Sequence, residues 1–68
     1  SNSMGMYRYT YGERVRMDYD TKLTGTIEER LPSQQVHEQY ASNIPFYVVK
    51  WDASGKTSYQ SEDALVRL

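Results

Sequence analysis

Polar and apolar residues alternate in short runs along this chain. Residues 6–11 set Tyr7, Tyr9 and Tyr11 on one side and Arg8 and Thr10 on the other, the two-residue period of an extended strand. Gly12 interrupts that period and permits a bend or bulge. It resumes at Glu13, with Val15 and Met17 opposed to Arg14 and Arg16, as in a strand with one buried and one solvated face. Asp18, Tyr19, Asp20 and Thr21 favour a turn over a ladder. Leu23, Gly25 and Ile27 then share a face, and Gly25 within that strand predicts a sharp bend or another backbone passing close by.

Residues 32–45, bounded by Pro32 and Pro45, read as a discrete connection. Ser33 is placed to cap a helical turn that would set Val36 and Tyr40 on one side; the alternative is a polar excursion between paired strands. From Phe46 to Trp51 both faces are largely apolar, which predicts a strand inside the sheet. Gly55 is placed for a positive φ in the turn after it. A short strand follows from Thr57, then Ser61, Glu62 and Asp63 as a capped single turn, and Leu65, Val66 and Leu68 close the sheet. The inward set predicted by this periodicity is Val15, Met17, Leu23, Ile27, Val49 and Leu65.

With 68 residues there is room for one domain, and a chain this short buries only ~60% of its unfolded surface. Ser1, Asn2 and Ser3 read as a tag remnant, so residues 1–5 stand apart from a single domain over 6–68. The chain has no Cys, which removes disulfides and Cys-based zinc sites and fits a reducing, cytoplasmic setting. Its apolar runs are far shorter than the ~20 residues that span a bilayer, so no membrane association is expected. Eight Lys and Arg against nine Asp and Glu give a net charge of −1, without the basic excess that nucleic-acid binders usually carry.

Five short strands, a long insertion and a one-turn 3-10 helix before the last strand predict an all-β, five-stranded antiparallel barrel. Val15-Arg16-Met17 followed by Gly25-Thr26-Ile27, then Y-V-V-K-W-D-x2-G from Tyr47 and S-x2-A-L from Ser61, resemble the Tudor and KOW branch of SH3-like small barrels. That resemblance implies a binding module, and many functions share the fold. The methyl-lysine cage of some Tudor domains would fall on Met17, Leu23, Trp51 and Thr57, and one aromatic among four breaks its pattern. Type II plasmid dihydrofolate reductases share G-x-R-V-R and A-L-x-R, but the stretch aligned with their catalytic strand is Thr57-Ser58-Tyr59-Gln60, so the activity is not carried over.

The expected function is therefore a non-catalytic binding module. A protein partner or a second copy would use the tyrosine edge of Tyr7, Tyr9 and Tyr11 with Val36 and Tyr40 of the connection. The alternative is an RNA or DNA contact through Arg8, Arg14 and Arg16 with interleaved tyrosines. No catalytic residue, metal site or cofactor is expected. His37 has no nucleophile to activate, Asp18 and Asp20 lack the rest of a cation loop, and the acid pairs Glu28–Glu29 and Glu62–Asp63 do not converge.

Overall fold

The computed structural model describes residues 7–35 and 43–68. Its strands are β1 (Arg14–Met17), β2 (Asp20–Gln35), β3 (Asn43–Trp51), β4 (Thr57–Ser61) and β5 (Leu65–Arg67), with a 3-10 turn at Glu62–Ala64 between the last two. All are antiparallel and form one sheet in the order β4-β3-β2-β1-β5. No ladder joins β4 to β5 among the described residues, so hydrogen bonding leaves the sheet open.

The core is one cluster of Tyr9, Val15, Met17, Ile27, Tyr47, Val49, Trp51 and Leu65, with Tyr7, Leu23 and Ala64 packed against it. Strands that are not neighbours in the sheet contribute to it, and one sheet brings such residues together only by curling. Five of the six residues predicted inward are buried, and Leu23 is half-buried at the margin. Gly25 explains how closely β2 and β3 approach. A Cβ built there would lie 2.6 Å from the Lys50 carbonyl oxygen and 2.9 Å from Val49 Cγ1, so the backbone passing close by is β3.

Two expectations need correction. The predicted tyrosine strand over residues 6–11 is not a strand where it is described: residues 7–11 join no ladder, and Met6 lies outside the described residues. Its polar groups find partners elsewhere. Tyr7 Oη donates to the Leu31 carbonyl, the Arg8 N–H to Glu62 Oε2 at 2.7 Å, the Tyr9 N–H to Tyr47 Oη at 3.2 Å and Tyr9 Oη to the Leu65 carbonyl at 2.9 Å. Gly12, at φ +81°, then turns the chain so that its N–H meets the Ile27 carbonyl and the Glu13 carbonyl takes the Ile27 N–H. Backbone groups must be satisfied somewhere, and here the Glu62 and Tyr47 side chains and the Ile27 carbonyl accept from the segment's N–H groups.

The second correction concerns residues 32–45. The β2–β3 ladder runs past both prolines, pairing Leu31 with Phe46, Gln34 with Ile44 and Gln35 with Asn43. Residues 32–35 are therefore strand, and no helical turn starts at Ser33. Proline cannot donate to a ladder, and the register shifts between Leu31 and Gln34, leaving Pro32 and Pro45 at the irregularity. Val36, His37 and Tyr40 lie outside the described residues.

Candidate functional site

The structure separates the residues singled out in the sequence. Tyr9, expected on an exposed edge, is only 2% exposed and lies in the core, with Tyr7 half-buried beside it. Tyr11 alone of the three projects outward, at 59% exposure. The three rings therefore do not present one aromatic face to a partner. The strict alternation of residues 6–11 has a different cause: Tyr7 and Tyr9 pack edge-on against Tyr47, with ring centroids 5.9 and 5.4 Å away.

The arginines are also divided. Arg14 and Arg16 stand on the solvated face of β1, but Arg14 grips Asp52 with two N–H groups, at 2.8 and 2.5 Å. Arg16 donates to the Met17 carbonyl at 3.0 Å. Arg8 is exposed, and its carbonyl accepts from Arg67 Nη2 at 2.7 Å. Arg67 also pairs with Glu13, whose carboxyl that contact holds below its ordinary range. Asp52 takes a further hydrogen bond from Thr24 Oγ1 at 2.6 Å, and the Arg14 guanidinium first, then the Thr24 hydroxyl, hold its carboxyl well below the usual carboxylate range.

This arrangement carries a pH prediction. A carboxyl depressed on folding contributes stability above its unfolded value, here near 3.8, and that contribution is lost as the pH falls through the folded value. Urea unfolding of Asp52→Asn should show a shallower loss of stability than wild type below about pH 4. Identical slopes for the two proteins would exclude the pair as a contributor.

Two features were not apparent from the sequence. One is a series of stacked rings and cations at the end of the core: Arg30 Cζ is 4.9 Å from the ring centroids of both Tyr7 and Tyr11, and Arg67 Cζ is 5.2 Å from that of Tyr9. Arg30 lies opposite Tyr47 in the ladder, so it belongs to the inward face of β2, a placement that depends on the irregularity after Ile27. The other is β4, which stands at the edge of the sheet among the described residues. Tyr59, 72% exposed, is cross-strand from half-buried Val48, next to the Phe46–Ser61 pair. An uncharged stretch, Thr57-Ser58-Tyr59-Gln60-Ser61, was the available signal for that edge.

The cage positions do not form a cage. Met17 and Trp51 are buried, Leu23 is half-buried and Thr57 is exposed. The Trp51 indole N–H donates to Ser58 Oγ at 2.7 Å, which makes it a satisfied core residue. Asp20 Oδ1 accepts the Lys22 N–H at 2.9 Å and shapes the β1–β2 turn. Among the described residues no cluster of three or more His, Asp or Glu is placed to hold a metal ion, and no helix is long and apolar enough to cross a membrane. Compared with known proteins, the chain matches no family model, no curated protein and no solved structure.

Proposed function

We propose that this chain is an SH3-like small barrel of the Tudor and KOW kind, acting in the cytoplasm as a non-catalytic module that binds protein by strand addition at β4. A second copy of the chain is the partner that its surface fits best. The strand order, the 3-10 turn before β5 and the closely packed glycine in β2 support the barrel reading. The tyrosine segment of residues 7–11 then acts as a strap across the side that no ladder closes.

One observation carries the binding reading. Sheet edges are normally guarded by charge, proline, bulges or brevity. β5 is guarded, being three residues long and carrying Arg67. β4 is not: its five residues, TSYQS, hold no charge and no proline, and all five pair with β3 in unbroken register. A neutral strand can lie antiparallel to its own copy without opposing like charges, with Tyr59 adding apolar area to each side.

Sedimentation equilibrium should show a concentration-dependent dimer, and Tyr59→Lys should return it to monomer with the melting temperature of the isolated fold unchanged. A monomer at every concentration, with the β4 amides that point away from β3 exchanging freely, would overturn self-association. Nucleic-acid contact through Arg8, Arg14 and Arg16 is the second reading. Arg14 enters it already paired with Asp52, so Arg14→Glu would be expected to act on stability as well as on any binding.

A further inference from the structure

Arg14 and Arg67 are each paired with a carboxylate. Arg30 is held differently. Two phenol rings flank its guanidinium at 4.9 Å, and among the described residues no carboxylate pairs with it. Stacking of this kind orients the cation and leaves its in-plane N–H groups as the part able to bond. Those groups match two oxygens of a phosphate or carboxylate side by side.

The walls of this site differ. Tyr7 is half-buried, tied to the Leu31 carbonyl through its hydroxyl and packed on Tyr47, so it forms a fixed inner wall. Tyr11 is 59% exposed, so it remains open to solvent although Arg30 lies over one side of its ring. A ligand that engages both features carries an oxyanion and a flat aromatic group in one unit. A duplex offers its phosphates while its base faces stay stacked, whereas a single strand offers both.

We infer that Arg30 and Tyr11 together bind one nucleotide unit of a single-stranded nucleic acid, with the phosphate on the Arg30 N–H groups and the base stacked on Tyr11. The site is independent of the β4 edge and uses neither Arg14 nor Arg16. The balanced charge of the chain sets the expected strength: weak binding in which one phosphate contact gives a salt slope of about −0.7 in log K against log salt.

The test is anisotropy of a labelled oligothymidylate at low salt, with a mononucleotide and an acidic tyrosine-containing peptide as competitors, and a thermal melt of each variant. Tyr11→Ser should weaken the oligonucleotide about tenfold, the loss expected when one stacked base is given up, and Arg30→Gln, which removes the charged bond to the phosphate, should weaken it by about the same factor. Tyr11→Phe should bind as wild type, and Arg30→Lys, which keeps the charge without the planar fork, should bind more weakly than wild type while melting as a folded domain. Arg14→Gln should leave binding within about twofold of wild type. Absence of binding, Arg30→Lys equal to wild type, or Arg14→Gln as damaging as Arg30→Gln would overturn the site. A mononucleotide as tight as the strand, or a peptide that displaces it more strongly than unlabelled strand does, would overturn the assigned ligand.

Discussion

Gly25→Val leaves this chain largely unfolded at physiological temperature, and Gly25→Ala lowers its melting temperature by roughly 10–20 °C. A Cβ at this position meets the Lys50 carbonyl oxygen at 2.6 Å, Val49 Cγ1 at 2.9 Å and Trp51 Cε3 at 3.0 Å. The nearest obstacle is backbone, so relief requires β2 and β3 to separate where Gly25 pairs with Trp51. Overpacking of this kind costs about 1–3 kcal/mol for one methyl and more for a branched side chain. A 68-residue domain has a total stability of roughly 3–10 kcal/mol, and each kilocalorie moves its melting point by ~4–8 °C. Far-UV circular dichroism during a thermal scan provides the measurement. An alanine variant that melts within a few degrees of wild type would show that the strands can part at that point.

The second large effect lies at Glu62. Only 7% exposed, its carboxylate accepts the Tyr47 hydroxyl at 2.6 Å and the Arg8 N–H at 2.7 Å. Glu62→Ala removes the acceptor and leaves the buried Tyr47 hydroxyl and the part-buried Arg8 N–H without it, at a cost of about 3 kcal/mol. The strap should detach first, so the amides of residues 8 and 9 should exchange with solvent faster than those of β2 and β3. Tyr47→Phe leaves the carboxylate a hydrogen bond short, and it should cost more in wild type than in a Glu62→Leu background, where nothing charged remains to be satisfied. Additive losses across that cycle would mean that the two groups do not act as a unit.

Burial first, and the hydrogen bond to Glu62 second, push the Tyr47 phenol upward from its ordinary value of 10.0. A group raised on folding contributes stability that is complete below the unfolded value and declines as the pH rises through the folded one. Wild type should therefore lose stability above about pH 10 more steeply than Tyr47→Phe.

These interactions show how far periodicity extends. Alternation in Val15 and Met17 and in Tyr47, Val49 and Trp51 determines which side of a strand faces inward, because successive side chains in a strand point to opposite faces. The same rule misassigned residues 7–11. Alternation there reflects two tyrosines entering a core and one leaving it, and a period of two does not say whether the backbone is paired with a neighbour or held by side chains. Pro32 and Pro45 failed as boundaries for a related reason. A proline excludes a ladder bond only where one is needed, and the shift after Leu31 removes that need.

The candidate sites were less legible than the fold. Arg14 and Asp52 are 38 residues apart in the chain, so nothing local announces that this arginine's charge is already paired. Arg30 faces Tyr7 and Tyr11 only because an irregularity in β2 after Ile27 and the turn at Gly12 bring them together. From the amino-acid order alone came the strand faces, the positive-φ turn at Gly55 and most of the core, since each depends on residues within a few positions of one another. Which arginines are paired with carboxylates, which of Tyr7, Tyr9 and Tyr11 are buried and which strands stand at the edges of the sheet depend on contacts between distant segments, and the tertiary structure alone decided them.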